Sequence, residues 1–380
     1  MSAYRIPFNR PSIVGEELTY VRAAIENGHS AGDGPLTRRC SELLSSWLGG
    51  NPVLLTTSCT HALEMCALLL GVKEGDEVIV PSFAFVTTAG AFALRGAKPV
   101  FVDVRPDTLN IDETQLREKI TDRTKAIVVL HYAGIACEME AIQAISADTG
   151  VPVIEDNAHG LLGSYQEKPL GSFGCLATQS FHETKNFICG EGGALVVNRP
   201  DWVERAEIIR EKGTDRSRFL RGQIDKYTWV DVGSSYLPSE ILAAFLLAQL
   251  ESREKIQKRR SEIWQRYRTE LSGWAAEQGV ELPHVPRRCT HPAHLFYAIL
   301  PSGGDRTRLI EHLATRGILG VFHYQSLHLS AMGQSFGGRR GQCPVTERIS
   351  DQLIRLPLYA GLNEAEQSDV IEAVQNFGTG

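Results

Sequence analysis

Along this chain, short unbroken runs of apolar residues alternate with longer stretches in which apolar positions recur at helical spacing. Val53-Leu54-Leu55-Thr56 reads as a strand leading into Thr57-Ser58-Cys59-Thr60, and Ala62 to Leu70 follows as a buried helix closed by Gly71. The same unit recurs. Glu77-Val78-Ile79-Val80 stands before Pro81, Pro99 to Asp103 follows a helix, Ala126 to Leu130 leads to a turn at Gly134, and Val151 to Asp156 ends in two acids. Such runs show no alternation and leave no strand face for water. They predict an α/β architecture with a mainly parallel sheet covered by helices on both sides.

From Ser239 to Tyr267 the pattern predicts one long helix, apolar through Leu250 and charged beyond it, that links to a second domain. The remainder mixes short strands, such as Leu295 to Leu300, with helices such as Arg308 to Arg316. The chain is therefore divided into a large domain, 1–245, which includes an N-terminal arm, and a smaller C-terminal α+β domain, 246–380. No internal repeat is visible. The stretch from Gly333 to Gly341 reads as a mobile loop, since ordered sequence resumes after it. Gly28 to Pro35, with three glycines, suits a loop beside a ligand or subunit boundary as well as a plain surface loop.

Composition narrows the partners. With 380 residues, 43% of them hydrophobic and 22% charged, the chain can bury a large core. A net charge of -6 gives no electrostatic footprint for nucleic acid or an anionic membrane. The basic run Lys255 to Arg260 lies in a Glu-rich helical stretch and reads as a solvated face. No stretch approaches the roughly 20 apolar residues that span a bilayer. The start, Met1-Ser2-Ala3-Tyr4-Arg5, has no apolar signal core, so the expected location is cytoplasmic. The eight cysteines form no Cys-x-x-Cys pair, zinc-type spacing or compact disulfide framework, and read as mostly buried, reduced thiols. Cys59 lies in a turn where a helix terminus could favour thiolate, or is simply a small residue that fits there.

Four segments carry candidate chemistry. Thr57-Ser58-Cys59-Thr60, at the start of a helix, offers hydroxyls, backbone N–H groups and the positive end of the helix dipole, which suit a phosphate; it also suits a plain helix cap. Phe85, in Pro81 to Thr88, stands where an aromatic leaving a strand end could lie flat on a heteroaromatic ring, or pack in the core. Glu155-Asp156 ends an apolar strand, where open sheets bind ligands. An aspartate there can keep a pyridine nitrogen protonated and make the ring an electron sink. Lys185 follows 29 residues after Asp156 and just before Gly190-Glu191-Gly192-Gly193, with Ser180 as a further phosphate donor. A lysine in such a place can anchor an aldehyde cofactor and then serve as general base and acid.

With these segments the chain resembles the DegT/DnrJ/StrS-type family of nucleotide-sugar aminotransferases, over nearly its whole length from Ile6-Pro7-Phe8 onward. The strongest marks are Thr57 to Leu63, Pro81 to Phe85, Glu155-Asp156-Asn157-Ala158-His159 and Ser180-Phe181-His182-Glu183-Thr184-Lys185-Asn186. The resemblance implies pyridoxal 5'-phosphate as cofactor and the aspartate aminotransferase-like fold, pyridoxal-phosphate transferase fold type I. It implies that Lys185 carries the internal aldimine, Asp156 binds the ring nitrogen and Phe85 stacks on the ring. Ser58, Cys59, Thr60 and Ser180 would surround the phosphate, with His159 beside the cofactor among the catalytic residues. It also implies L-glutamate as amino donor and a homodimer or larger assembly with active sites at the subunit interface.

Many members of the family carry Gly-Tyr-Asn-Tyr-Arg where this chain has Gly233-Ser234-Ser235-Tyr236-Leu237, so Ser235 takes the place of an asparagine that reaches the neighbouring subunit's phosphate. This variant, with Arg210 to Thr214 and Arg221 to Trp229, resembles the branch acting on dTDP-4-keto-6-deoxy-D-glucose, which includes the dTDP-4-amino-4,6-dideoxygalactose transaminases. Amination of that sugar at carbon four is the implied reaction. Amination at carbon three or of another nucleotide sugar, and a pyridoxal-phosphate-binding regulatory protein without turnover, stay open beside it. A related dehydratase branch has histidine in place of the lysine, and Lys185 disfavours it. Lys212, Arg216, Arg221 and Lys226 are candidates for the sugar nucleotide's diphosphate, or an exposed basic helix end. His323, Tyr324 and His328 resemble a family His-Tyr and His segment near the substrate, or are structural.

Overall fold

The strands, in chain order, are β1 (Val53–Thr56), β2 (Glu77–Pro81), β3 (Lys98–Val102), β4 (Thr124–Leu130), β5 (Val153–Asp156), β6 (Ser164–Tyr165), β7 (Lys168–Pro169), β8 (Leu176–Ser180), β9 (Gly193–Val197), β10 (Cys289–Thr290), β11 (Phe296–Ile299) and β12 (Leu353–Leu356). They belong to a computed structural model that describes residues 4–380; Met1, Ser2 and Ala3, part of the start read above for a signal core, lie outside the described residues. Seven strands form one sheet in the order β1-β9-β8-β5-β4-β2-β3. The pairs from β3 through β2, β4 and β5 to β8 are parallel, and β9 runs antiparallel to both β8 and β1. The expected mainly parallel α/β sheet is thus present, and only β9 opposes the common direction.

Period-two alternation distributes the apolar runs between two covers. Val78, Val80, Val128, Ile154, Leu176 and Leu195 pack with Leu63, Met65 and Cys66 of the helix Cys59–Leu69. On the other face Ile79, Ile127, Val129 and Val153 meet Ile142 and Ile145 of the helix Met139–Thr149. Val53, Leu55, Ala177 and Val196 meet Leu246, Leu247 and Leu250. Burying each such Leu, Ile or Val stabilises the fold by roughly 1.5–3 kcal/mol. A further core lies around the antiparallel pair β11 and β12, where Phe296, Ile354 and Leu356 pack with Trp264, Tyr267, Leu309, Leu313, Val370 and Val374. Ile6 joins that core, bonded on both sides to the Gly317–Leu319 backbone.

Two expectations change. The long helix from Ser239 to Tyr267 is two helices, Glu240–Glu251 and Arg253–Glu270, parted at Ser252. The first is buried almost all round and packs on the main sheet, whereas the second buries one stripe, Ile256, Arg260, Ile263, Trp264 and Tyr267. One straight rod cannot serve both cores. Residue 245 lies inside the first of these helices.

The glycine-rich stretch 333–341 begins inside the helix Ala331–Ser335 and is anchored at Gly333 and Gly338, with most of its other residues exposed. A Cβ on Gly333 would sit 1.9 Å from the Leu327 carbonyl oxygen, and one on Gly338 2.1 Å from that of His328. Gly333 and Gly338 thus allow close contact with the segment before them, and the Gly341 N–H donates to Glu347 beyond the stretch at 2.6 Å. The loop at Gly28 to Pro35 is tied down as well. The N–H groups of Gly34, Leu36 and Thr37 converge on the buried Glu240 carboxylate at the start of the helix Pro35–Trp47, and Asp33 pairs with Arg210 at 2.8 Å. Among the described residues, no helix is long and apolar enough to cross a membrane.

Candidate active site

Every strand of the main sheet except β9 ends on the same edge, and β9 begins there. Asp156 ends β5, Ser180 ends β8, Thr56 ends β1, and Gly193 is the register partner of both Thr56 and Ser180. The carboxyl edge of an open sheet is where such folds bind ligands. Here it opens into a cavity of about 710 Å³.

The helix Cys59–Leu69 enters this edge. Ser58, extended, caps it by accepting from the His61 N–H at 3.1 Å, which leaves the N–H groups of Cys59 and Thr60 with no acceptor among the described residues. Ser58 thus caps the helix, and Cys59 and Thr60, whose N–H groups are free, line the cavity beside it, where a phosphate would need donors. Gly193 lets the helix come this close. A Cβ there would lie 2.4 Å from the Cys59 nitrogen and 2.4 Å from the Ser58 carbonyl carbon.

Asp156 is 3% exposed and accepts from the Thr88 hydroxyl at 2.7 Å and the Ala158 N–H at 3.2 Å. Burial raises its pKa above the usual carboxylate value, and these two donors and the Lys185 charge oppose the rise. Lys185 rides on the loop between β8 and β9, held by the buried rings of Phe181 and Phe187 and by bonds from Phe181 N–H to Gly192 and from Glu183 N–H to Gly190. Burial lowers its ammonium pKa to about 8, with Cys59 and Asp156 acting in the opposite sense. Cys59 itself donates to Thr178 Oγ1 at 3.4 Å, and burial pushes its thiol up to about 12. It stays a neutral thiol, so the thiolate considered for this helix terminus does not form at neutral pH.

Stacked rings build the far wall. His159 Nδ1 accepts from the Ala133 N–H at 3.3 Å, so its proton resides on Nε2, 3.2 Å from the Tyr324 hydroxyl. Its ring lies on that of His294 at 4.2 Å. Asn186 spends its amide N–H on the Pro292 carbonyl, so its oxygen accepts from His294 Nδ1 at 2.9 Å. Burial holds both imidazoles well below their ordinary pKa, and they are neutral. His323 Nδ1 lies 2.7 Å from the Tyr132 hydroxyl. Phe85, 54% exposed, stands at the rim, 6.3 Å from the Tyr324 ring.

The cavity thus gathers Ser58, Cys59, Thr60, Phe85, Asp156, His159, Ser180, Lys185, His323 and Tyr324 from the sequence-based candidates. Other candidates fall elsewhere. His328 is fully buried, with Nδ1 on the Ser82 hydroxyl at 2.6 Å and Nε2 on Glu347 at 3.1 Å. It joins the strand end after β2 to the C-terminal segment and does not line the cavity of its own chain, a placement that suits the structural alternative. Lys212 and Arg216 pair with Glu211, and Arg221 pairs with Glu207, acids on or next to the helix Val203–Arg210. Neither these three, Lys226 nor Ser235 lines the cavity of their own chain, and Ser235 is exposed in a bridge with Glu211.

Residues that escaped the sequence reading include Thr88, the partner of Asp156, and Phe8, His294 and Arg355, which line the cavity. Arg355 did leave a signal, as the one charge in the apolar run Leu353-Ile354-Arg355-Leu356. His294 left none.

Free N–H groups at a helix start, a buried carboxylate and a lysine titrating near 8 make a donor set that fits pyridoxal phosphate. Comparison with known proteins agrees. The chain is 30% identical to the spore coat polysaccharide biosynthesis protein SpsC of Bacillus subtilis over 383 residues, 99% of this chain and 97% of that protein. The aminotransferase TlmJ of Streptoalloteichus hindustanus superposes with a TM-score of 0.89 at 31% identity, covering 97% of this chain and 98% of that one. Spr1654 of Streptococcus pneumoniae, a putative sugar aminotransferase, matches in its PLP and PMP forms with TM-scores of 0.89 and 0.90, at 26% identity over 98% of each chain. A family model described as the DegT/DnrJ/EryC1/StrS aminotransferase family matches residues 11–375, and the chain belongs to that family as a pyridoxal-phosphate-dependent aminotransferase.

Proposed function

We propose that the protein moves the amino group of L-glutamate to carbon four of dTDP-4-keto-6-deoxy-D-glucose, giving a dTDP-4-amino-4,6-dideoxyhexose and 2-oxoglutarate. The observation that carries amino transfer is the meeting of Lys185 and Asp156 in one cavity beside the free N–H groups of Cys59 and Thr60. Pyridoxal phosphate supplies the electron sink that stabilises a carbanion at the carbon bearing the nitrogen. The protein's residues do the rest. Asp156 holds a protonated ring nitrogen, Cys59, Thr60 and Ser180 bind the phosphate, and Phe85 covers one ring face from the rim. Lys185, with an amine that is substantially neutral near pH 8, would take the proton from the donor's α-carbon and deliver it to the cofactor carbon that keeps the nitrogen, and would run the same exchange in reverse with the sugar. His159, neutral and fixed by Ala133 and Tyr324, borders the cofactor without carrying charge.

A sugar substrate is supported by the relatives, one in spore coat polysaccharide biosynthesis and one a putative sugar aminotransferase. The choice of carbon four and of a dTDP sugar rests on Gly233-Ser234-Ser235-Tyr236-Leu237 and the segment 210–229. In this reading two copies pair, and the exposed apolar stretch with Tyr227, Trp229, Val230 and Val232 faces a second chain, bringing Ser235 toward the neighbour's phosphate site.

The test is a coupled assay of the holoenzyme with L-glutamate and a panel of nucleotide ketosugars, and NMR coupling constants of the product settle position and stereochemistry. Turnover with the 4-keto-6-deoxy sugar is expected; turnover only with a 3-keto sugar would remove the carbon-four assignment. Lys185→Ala should bind cofactor yet lose roughly a hundredfold to ten-thousandfold in turnover. Borohydride should fix the cofactor on Lys185 of the parent protein, as read by peptide mass.

A further inference from the structure

The helix Arg253–Glu270 turns Arg260 and, one turn later, Trp264 toward the segment 291–294 between β10 and β11. Arg260 is buried, and its guanidinium donates to two successive carbonyls, from Nε to Ala293 at 3.2 Å and from Nη2 to His294. No carboxylate among the described residues pairs with it. Burial lowers its pKa to about 9, so it stays charged at neutral pH. Burying a guanidinium without an acid carries a desolvation cost that an apolar side chain of similar volume avoids, and what the guanidinium adds is position. Ala293 occupies the left-handed region at φ +50°, which a residue other than glycine keeps only where its surroundings fix it. Its carbonyl is held by Arg260 and its N–H donates to His291 Nδ1 at 3.2 Å, while the His291 ring lies 4.3 Å from that of Trp264.

The other side of this segment belongs to the cavity. The Pro292 carbonyl accepts from Asn186 Nδ2 at 2.7 Å, and the Asn186 oxygen accepts from His294 Nδ1 at 2.9 Å, so the residue directly after Lys185 is bonded twice to the segment. Pro292 lies against Gly134, where a Cβ would sit 2.4 Å from the proline Cδ and 2.7 Å from the His159 carbonyl oxygen. The His294 ring in turn stacks on His159 at 4.2 Å. Four successive residues thus connect a helix of the second core with the lysine loop and the imidazole wall. Arg260 itself does not line the cavity.

We propose that Arg260 is a positioning residue for amino transfer: with Asn186 it clasps the segment 291–294 between the second core and the Lys185 loop, and so fixes the place of Lys185 and of the His294–His159 stack in the cavity wall. The inference rests on the amino-transfer reading above for the reaction it serves, and not on the identity of the sugar. Arg260 touches no reacting atom and acts only through the segment. A misplacement of about 1 Å at a reacting group can cost roughly a hundredfold in rate, so a fastening remote from the chemistry has a kinetic effect. One planar guanidinium sets the direction of two carbonyls together, which the single ammonium of a lysine does only in part.

The test compares Arg260→Met, Arg260→Lys, Asn186→Ala and the double variant Arg260→Met/Asn186→Ala with the parent, with stability read by urea unfolding and rates normalised to loaded sites. Two rates are followed by absorbance: capture of pyridoxal phosphate by the cofactor-free protein, and each half-reaction of the holoenzyme at saturating substrate. Arg260→Met should slow capture roughly threefold to tenfold and the half-reactions roughly tenfold to a hundredfold. The L-glutamate concentration for half-maximal conversion should stay within about threefold. Arg260→Lys should recover part of both rates. Asn186→Ala should show losses of the same kind, and the double variant should fall no more than about threefold below the slower single variant, because both act through one segment. Lower stability with capture and turnover per loaded site at the parent values would reduce Arg260 to a packing role and overturn the proposal. Losses that multiply in the double variant would also overturn it, since the two fastenings would then act independently. Should Arg260→Met not fold, Arg260→Lys alone and combined with Asn186→Ala carries the same comparison. A parent that captures the cofactor yet is not converted by L-glutamate would defeat the amino-transfer reading, while the capture rates still decide whether Arg260 sets the place of Lys185.

Discussion

Lys185 and Asp156 show how one cavity sets two opposite titrations. Burial disfavours charge on both, so the lysine's pKa falls to about 8 while the aspartate's rises, and each charge restrains the other's shift. For the lysine the sign is direct: its reactive form is the neutral amine, which appears as pH rises through the folded-state pKa. At pH 7.5 about a quarter of such a lysine is neutral, against about 0.1% at an ordinary lysine pKa. Cofactor capture by the cofactor-free protein should therefore accelerate from pH 6.5 to about 8.5 and then level off, as stopped-flow absorbance would show; a rate still climbing tenfold per unit above pH 9 would contradict the lowered pKa. Asp156 stood out in the sequence as the end of an apolar strand run, and Lys185 as part of the contiguous motif that follows β8. His294 was not. Its part in the wall depends on Asn186, 108 positions away, and no local pattern connects them.

At the scale of elements, the site is a meeting of ends. The helix Cys59–Leu69 can bring its free N–H groups to the cavity because β9 begins with Gly193. Gly193→Ala should push helix and strand apart, lowering cofactor affinity roughly tenfold or more and stability by about 1–3 kcal/mol, read by equilibrium titration and urea unfolding. His328 belongs to the same scale. The sequence places it in a family-like segment, but its two ring nitrogens are used to fasten Ser82 to Glu347. His328→Ala should cost about 1–3 kcal/mol of stability through the unpaired Ser82 and Glu347 groups, while KM for both substrates stays near the parent value. A large rise in KM for the sugar with unchanged stability would support the substrate assignment. The break at Ser252 was invisible to a pattern read along one axis, because the residues on both sides favour helix. Only the direction of two separate cores requires the chain to turn there.

For the whole molecule, the candidate residues divide by location. Lys212, Arg216, Arg221, Lys226 and Ser235 stand outside their own chain's cavity, in the region that also exposes Tyr227 and Trp229, the latter at 77%. An isolated chain gains nothing from a bare tryptophan. In the proposed pairing of two copies, Trp229→Glu should shift the protein toward monomer in sedimentation velocity at micromolar concentration and reduce turnover with it. A monomeric parent with full activity would remove the role of a second subunit.

The order of apolar runs, and the motifs at or beyond their ends, determine the sheet class and the cofactor chemistry and bring forward Lys185 and Asp156 as candidates, since strand burial and local turn chemistry are properties of short segments. Tertiary packing determines which charges are spent and which remain available. Lys212, Arg216 and Arg221 find acids close by in the chain, whereas Arg355 comes to lie beside Phe8, 347 positions earlier, with no acid paired to it among the described residues. Pairing of that kind is set by long-range contacts between strands and lobes, and the spacing of residues along the chain does not encode it.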